Sequence, residues 1–507
     1  MNQQISRLAL VSLLLLAALI LATTYWQAWA APSLAAKQDN AIQRVAQFRI
    51  RRGLIYASDG KTVLAKNVRV KKGGEALYFR TYPTHGLASQ VVGYSTQGRS
   101  RAGIERQENP YLTASNANLG TIWTKLGDSL KGATVSGNNL VLNLKVGAQK
   151  LAESLLRGKC GAAVVLNPRT GAVYVMASSP GYDPNKIESA TGYASILHSP
   201  SACPGSSSPL LNRATQGLYA PGSTFKTVTG TAAMDSGVYT PESKFYDPGY
   251  CTEYGQKVYN AGNPDQNGPE QYGNVDLVQA YEHSINAIFC QIGMHLGAKR
   301  ILDQAKKFGF YSRPPIELPS SEVAASGLYD FRRHALFDDA SKVDPGRLAF
   351  GQERMLTTPL QMALVAAAVA NNGVEMEPHL LKKVTAPGSG NTLVRVRPQV
   401  WKRPMKPSTA AALNQMMQAV VTGGTGTAAQ IPGIKVAGKT GTAETGLAHV
   451  YDAWFIFFAP ADHPQVAGAV VVEHQLNGFG GSVSAPIAKQ LMQAILPAAS
   501  KQQAGHP

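Results

Sequence analysis

The pattern of hydrophobic and polar positions changes along the chain. An apolar stretch from Leu8 to Ala22 predicts a helix over residues 8–26, about 28 Å long and close to the thickness of a membrane's hydrocarbon core. Two short runs of strand-forming residues flank the turn Asp59-Gly60 and predict a β-hairpin. Short strands and glycine-rich turns continue to Asn143, and they predict a modest β-containing module.

The pattern after Val146 predicts helices mixed with buried strands. Helical spacing is present over residues 149–156, and Thr358-Pro359 supply an N-cap and a first-turn proline for a helix that ends at Asn371-Asn372-Gly373. Buried strands are predicted at residues 162–167, 172–177, 453–457 and 466–472. A strand pair, then many helices, then two more strands predict an α+β fold rather than alternating βαβ units.

Composition and charge exclude two broad classes of protein. The chain has 507 residues, is 44% hydrophobic and only 16% charged, which excludes a disordered protein. Lysine and arginine exceed aspartate and glutamate by 48 to 31, a formal net charge of +17. These basic residues are scattered in runs no longer than a pair, whereas nucleic-acid binding concentrates them on one element. We therefore expect no nucleic-acid partner.

The N-terminal apolar helix has two interpretations. Tyr25 and Trp26 are placed for the headgroup level of a membrane, which favours a retained anchor. Ala28-Trp29-Ala30 instead fits the cleavage site of a signal peptide. Both interpretations export the rest of the chain.

The chain has four cysteines, and the sequence does not determine how they pair. An exported protein with an even number of cysteines can form one or two disulfides, and four buried free thiols are the alternative. No CxxC spacing or other metal-ligand pattern occurs, so neither a metal nor a cofactor is expected. The cysteines are Cys160, Cys203, Cys251 and Cys290.

One motif places a nucleophile beside a base. Ser223-Thr224-Phe225-Lys226 follows Pro221-Gly222 and opens a helical run. A serine at a helix start benefits from the positive end of the helix dipole and from free N–H groups that face an oxyanion. Lys226, three residues on, lies on the same helical face and is predicted to reach the Ser223 hydroxyl. Burial and a second cation would lower its pKa and make it a base.

The order of three motifs makes the prediction specific. S-x-x-K also occurs at Ser58–Lys61, but Asp-Gly makes that match a turn. Ser284-Ile285-Asn286 supplies S-x-N, and Lys439-Thr440-Gly441 is the only K-T-G in the sequence. His283 is predicted to point about 100° away from Ser284 on one helix and to be structural. The ordered set S-x-x-K, S-x-N, K-T-G occurs in penicillin-binding proteins and class A β-lactamases.

From about Arg51 to Lys489 the chain resembles a class B penicillin-binding protein, a monofunctional peptidoglycan transpeptidase. Within that class it is most similar to the actinobacterial PbpA type. Residue 285 is Ile where class A β-lactamases carry Asp, and this departure favours the penicillin-binding side. The resembling stretches are residues 52–55, 103–105, 212–214, 219–226, 350–352, 358–363, 438–444 and 453–454.

The resemblance implies a fold and a division of the chain. It implies a penicillin-binding, serine β-lactamase-like transpeptidase domain, in which helices flank an antiparallel sheet, after a smaller N-terminal module and a single transmembrane helix. The expected segments are a cytoplasmic end and anchor (1–31), a stalk and non-catalytic pedestal (32–150), the transpeptidase domain (151–495) and a flexible tail (496–507).

The resemblance also implies roles for the motif residues. Ser223 is the expected nucleophile, Lys226 its base and Ser284 the proton shuttle, while Lys439 gives electrostatic help. Asn286 is expected to bind the peptide carbonyl of the substrate, and Thr440, Gly441 and Thr442 line the binding strand. The backbone N–H groups of Ser223 and Thr442 are the expected oxyanion hole.

The expected activity is peptidoglycan cross-linking by a membrane-anchored enzyme whose catalytic domain is extracytoplasmic. Stem peptides, on a lipid-linked precursor or nascent glycan, are the expected substrates, with β-lactams as covalent inhibitors. We hypothesise that the net charge of +17 helps to retain the exported protein among anionic wall polymers. A glycosyltransferase, divisome or elongation partner is expected, and the choice between septation and elongation stays open. The alternatives are a D,D-carboxypeptidase or β-lactamase, a penicillin-sensing receptor and a non-catalytic division scaffold.

Overall fold

A computed structural model describes residues 2–26, 47–72, 75–115, 136–200, 203, 208–261 and 270–497. The α-helices are α1 (Asn2–Thr24), α2 (Ser89–Val92), α3 (Gly103–Gln107), α4 (Asn109–Leu112), α5 (Val146–Leu155), α6 (Ala190–Leu197), α7 (Lys226–Asp235), α8 (Leu277–Glu282), α9 (Asn286–Leu296), α10 (Ala298–Lys307), α11 (Pro345–Ala349), α12 (Pro359–Ala370), α13 (Pro407–Thr422) and α14 (Gly480–Ile495).

The strands are β1 (Ile55–Tyr56), β2 (Val63–Lys72), β3 (Glu75–Thr81), β4 (Asn139–Leu142), β5 (Gly161–Leu166), β6 (Val173–Ser179), β7 (Lys244–Asp247), β8 (Tyr250–Glu253), β9 (Gln256–Tyr259), β10 (Gly273–Asp276), β11 (Gly327–Asp330), β12 (Ala335–Phe337), β13 (Met355–Leu356), β14 (Glu375–Met376), β15 (Leu381–Thr385), β16 (Thr392–Arg395), β17 (Val400–Lys402), β18 (Ala437–Glu444), β19 (Val450–Ala459) and β20 (Val466–Leu476).

A five-stranded antiparallel sheet organises the larger part of the chain. Its strand order is β18-β19-β20-β5-β6, so the C-terminal strands join the hairpin formed by β5 and β6. Side chains alternate between the two faces, as a strand requires. One face, with Val164 and Ile456, packs on the entirely buried helix α12, and the other, with Val165 and Phe457, packs on α5 and α14.

A second sheet joins the N-terminal module to the rest of the chain. Its order is β16-β15-β4-β1-β2-β3, with β1 and β4 parallel and the other neighbours antiparallel. Strands β15 and β16 come from residues 381–395, far beyond the predicted boundary at residue 150. That boundary remains a prediction, but the sheet crosses it.

The structure confirms the main elements predicted from the pattern. Asp59 accepts hydrogen bonds from the N–H groups of Lys61 and Thr62, and Gly60 has a φ of 66°, so the predicted turn between β1 and β2 forms. The Thr358 side chain caps α12 by accepting from the N–H of Gln361, as expected. The short helices α2, α3 and α4 were not predicted, because segments of four or five residues carry too little periodicity.

The N-terminal helix is long and apolar enough to cross a membrane. Residues 6–24 form the candidate span, and none of it is buried against the rest of the protein. The predicted stalk and the Ala28-Trp29-Ala30 site lie outside the described residues, as does the predicted tail after residue 497.

All four cysteines are paired, which excludes the alternative of free thiols. Cys160 bonds Cys203, and Cys251 bonds Cys290. The second bridge joins β8 to α9, the helix that begins at Asn286 of the S-x-N motif. Disulfides are typical of proteins that fold outside the cytoplasm.

A buried charge network stabilises the N-terminal module. The Glu105 carboxylate pairs with Arg52 Nη2 at 2.8 Å and with Arg80 Nε at 2.5 Å, and Arg52 Nη1 also donates to Asn109 at 2.7 Å. Burial alone raises the pKa of Glu105, but the two guanidinium groups outweigh it and lower the pKa. Glu105 therefore stays ionised with two guanidinium partners.

We predict that Glu105→Ala destabilises the protein strongly, because it leaves two buried guanidinium groups without their anion. The expected loss in free energy of unfolding is about 3–5 kcal/mol, measured by urea unfolding at pH 7. Asp303→Ala is the matched control, because its ion pair with Lys299 is exposed; its expected change is at most about 1 kcal/mol. Equal losses in the two variants would contradict the prediction.

Candidate active site

The S-x-x-K motif forms a tight turn against the K-T-G strand. Residues Gly222–Phe225 form a 3-10 helix that continues into α7, and Ser223 lies partly buried near its start. The turn is held from behind, because Gly222 N–H donates to Gly351 O at 3.0 Å and Trp454 Nε1 donates to Ala220 O at 3.0 Å. A serine hydroxyl is thus presented at a helix start.

The Lys226 amine is fully buried and faces the S-x-N motif. Its Nζ donates to Ser284 O at 2.6 Å, to Asn286 Oδ1 at 2.8 Å and to Ser284 Oγ at 3.3 Å. The Phe289 ring lies 5.2 Å from Nζ. Lys226 thus connects the first motif to the second.

The S-x-N motif is a turn between two helices rather than part of one helix. Helix α8 ends at Glu282 and α9 begins at Asn286. Ser284 has a φ of 60°, a left-handed conformation that costs a non-glycine residue about 1–2 kcal/mol. The expected 100° separation of His283 from Ser284 on one helix is therefore wrong. His283 stacks on the Tyr272 ring, which agrees with a structural role.

The K-T-G motif lies on β18, and its lysine contacts the same serine. Lys439 Nζ donates to Ser284 Oγ at 2.8 Å and to Thr440 O at 3.1 Å, and the side chain is fully buried. The Ser284 hydroxyl therefore lies between two amines from different parts of the chain. Thr440 Oγ1 pairs with Thr425 Oγ1 at 2.6 Å, and Thr442 Oγ1 accepts from Gly480 N–H at 3.4 Å.

Burial changes the protonation of both lysines. Burial lowers the pKa of Lys226 well below its ordinary value, and the charge of Lys439 lowers it further. Burial likewise lowers the pKa of Lys439, to about 7. Both shifts favour the neutral form of the amine, which is the form that can accept a proton.

Four of the predicted site residues lie together, but one expected contact is missing. The structure brings Lys226, Ser284, Asn286 and Lys439 into one hydrogen-bonded group. The expected hydrogen bond from Lys226 to Ser223 is not formed: among the described residues, the Ser223 hydroxyl has no hydrogen-bond partner. The three oxygen atoms of the S-x-N turn hold the amine instead.

Three residues that the sequence motifs did not single out also support the site. Tyr281 donates or accepts a hydrogen bond with Thr227 at 2.8 Å, and its ring lies 5.5 Å from Lys439 Nζ. Thr425, which bonds Thr440, lies in a Gly-Gly-Thr-Gly-Thr stretch that signals a tight turn in the sequence. Gly351 approaches the S-x-x-K turn closely, because an added Cβ would lie 2.1 Å from Gly222 O.

Comparison with known proteins identifies the family. Residues 161–493 match the family described as the penicillin binding protein transpeptidase domain, and residues 52–140 match the penicillin binding protein A dimerisation domain. The chain belongs to the penicillin-binding protein transpeptidase family. The family and the serine acyltransferase class expected from the three motifs are confirmed.

Individual penicillin-binding proteins are similar over nearly the whole chain. The peptidoglycan D,D-transpeptidase PbpA of Mycolicibacterium smegmatis is 32% identical, covering 98% of this chain and 99% of that protein. PbpA of Mycobacterium tuberculosis is 31% identical with the same coverage. The ceftriaxone acyl-enzyme complex of penicillin-binding protein A from M. tuberculosis superposes with a TM-score of 0.78 at 29% identity, covering 89% of this chain and 100% of that one. The expected fold class is confirmed.

Gly441→Ala is predicted to disturb the contact between β18 and the S-x-x-K turn. An added Cβ would lie 2.8 Å from Thr224 Cγ2 and 2.9 Å from Pro221 O, so the strand or the turn must shift. We expect a loss of about 1–3 kcal/mol in the free energy of unfolding, measured with urea.

The control for this prediction is Gly147→Ala in α5, where an added Cβ meets no atom within 4 Å. Its expected effect is neutral or stabilising, because alanine favours a helix over glycine by up to about 1 kcal/mol. Equal stability of the Gly441→Ala variant and the native chain would contradict the prediction.

Proposed function

We propose that the protein is a serine D,D-transpeptidase that cross-links peptidoglycan stem peptides through an acyl-enzyme on Ser223. The observation that carries the proposal is the Ser284 hydroxyl, which accepts from Lys226 Nζ and Lys439 Nζ. Lys226 follows Ser223 by three residues, at the start of α7. Two buried amines on one hydroxyl form a path for a proton. The β-lactam acyl-enzyme complexes of the M. tuberculosis relative support the same chemistry.

In the proposed first step, Ser223 Oγ attacks the carbonyl carbon of the penultimate D-Ala while the neutral Lys226 amine accepts its proton. Ser284 relays a proton to the departing amine of the terminal D-Ala, and Ser223 retains the acyl group. In the second step an amine of a neighbouring stem peptide attacks the ester and releases Ser223. No cofactor takes part in either step.

The proposed substrate contacts follow the strand and the S-x-N turn. The Asn286 amide binds a peptide carbonyl of the donor, and the hydroxyls of Thr440 and Thr442 bind its terminal carboxylate. The backbone N–H groups of Ser223 and Thr442 stabilise the oxyanion. This last assignment is supported by the close approach of the two segments, since an added Cβ on Gly222 would lie 3.0 Å from Thr442 O.

We propose that α1 anchors the protein and that the remainder is extracytoplasmic. The unburied apolar span at residues 6–24 and the two disulfides support this location. Substrate carried on a lipid or on nascent glycan is within reach of an anchored enzyme. A glycosyltransferase, divisome or elongation partner is part of the same proposal.

Labelled penicillin tests the nucleophile. We expect the full-length protein to take up one label that maps to Ser223 by peptide mass spectrometry, and Ser223→Ala to abolish it. Ser58→Ala is the matched control, because Ser58–Lys61 is the other S-x-x-K match and forms a turn outside the site. Mass spectrometry of products from a disaccharide-peptide substrate then separates cross-linking from hydrolysis; hydrolysed peptide alone would overturn the transpeptidase assignment.

The pH dependence of acylation tests the role of Lys439. The positive charge of Lys439 lowers the pKa of Lys226, so Lys439→Gln removes that effect and the pKa of Lys226 rises. In the pH–rate profile of acylation, we expect the rising limb of this variant to lie at higher pH than that of the native chain. Lys435→Gln, an exposed residue two positions before β18 begins, is the control and should leave the limb in place. A limb that stays fixed or moves to lower pH in Lys439→Gln would exclude this coupling.

A further inference from the structure

The S-x-N turn needs support from outside its own residues. Ser284 holds a left-handed conformation, which persists only where the surroundings fix it. Helix α9 begins directly after the turn, and its N-cap residue is Ile285, whose side chain carries no hydrogen-bonding atom. The first N–H groups of a helix have no partner within it, so those of α9 require hydrogen-bond acceptors from another segment.

Asn260 provides this cap from a different part of the chain. Its side chain is buried, with 7% of its surface exposed, and its Oδ1 accepts from the N–H of Ala287 at 2.8 Å. Ala287 is the residue that follows Asn286. The cap therefore acts directly on the first turn of α9, where the S-x-N asparagine lies.

Asp247 orients the Asn260 amide. Asn260 Nδ2 donates to Asp247 Oδ2 at 2.8 Å and to Glu270 O at 3.0 Å. Asp247 is itself buried and accepts from the N–H groups of Gly249 at 2.9 Å and Tyr272 at 3.0 Å. Because a carboxylate only accepts, the NH2 group of Asn260 faces Asp247 and its oxygen faces Ala287.

Two more contacts tie the same segment to α9. The Asn286 amide donates to Tyr259 O at 3.3 Å, and Cys251 in β8 bonds Cys290 one helical turn after Asn286. On its other side, Asn286 Oδ1 accepts from Lys226. Through the peptide bond between Asn286 and Ala287, these hydrogen bonds connect Asp247 to the proposed base.

We propose that Asn260, oriented by Asp247, is a positioning residue for acylation: it fixes the start of α9 so that Ser284 and Asn286 meet Lys226. The inference rests on the proposed function, because it concerns the residues assigned there as base, shuttle and carbonyl ligand. Asn260 touches neither the proposed substrate nor Lys226, and it acts through Ala287 and Asn286.

The test compares Asn260→Ala with Asn274→Ala in the full-length protein. Asn274 is exposed on β10, and no described residue forms a hydrogen bond with its side chain, so it is the matched control. A chromogenic cephalosporin gives two readings: the fraction of molecules that can be acylated and the acylation rate constant of that fraction. For Asn260→Ala we expect the native fraction and a rate constant lowered about 10- to 100-fold, because small displacements of catalytic groups have effects of this size. Asn274→Ala should match the native chain in both readings.

A reduced fraction with an unchanged rate constant would show a merely structural role and overturn the proposal, as would no change in either reading. If Asn260→Ala does not fold, the nearly isosteric Asn260→Asp decides. It keeps an acceptor for Ala287 but sets a second carboxylate against Asp247, so we expect a native acylatable fraction and a lowered rate constant; a native rate constant would overturn the proposal. Failure of the native chain itself to be acylated would count against the proposed function instead.

Discussion

The Lys226 amine is buried away from solvent, and its hydrogen bonds go to three oxygen atoms of the S-x-N turn. An amine with no charged partner in such a position favours its neutral form. The geometry of the other site residues is set by the requirement that these oxygen atoms contact the Lys226 amine. Helices α8 and α9 must meet in a tight turn, and β18 must deliver Lys439 to the opposite side of the same hydroxyl.

The five-stranded sheet and α12 provide the rigid frame for this arrangement. Helix α12 is buried along its whole length and packs on one face of the sheet, so the two form one packed unit. Trp454 of β19 reaches across to Ala220, which fixes the S-x-x-K turn relative to the strand beside it. Catalytic groups held by packed elements in this way keep their geometry better than groups on free loops.

Part of the fold was predictable from the sequence, because it depends on interactions between neighbouring residues. The turn at Asp59-Gly60, the cap at Thr358 and the strands of the large sheet depend on neighbouring residues, and each forms where the pattern indicated. The motif residues were found by their order along the chain. The left-handed Ser284 was not predicted, because nothing within residues 283–286 marks the break between α8 and α9. The disulfide pairing and the cap from Asn260 depend on contacts between distant segments, which no local pattern encodes.

Under the proposed anchoring by α1, the six-stranded sheet has a mechanical consequence. Strand β1 pairs with β4 and through β4 is joined to β15, which lies a short distance after α12. A pull on the tether is therefore carried by backbone hydrogen bonds along these strands into the body that holds the site. Because strands from both parts of the molecule pair in one sheet, the proposed tether would pull on that shared sheet and not on a single connecting segment.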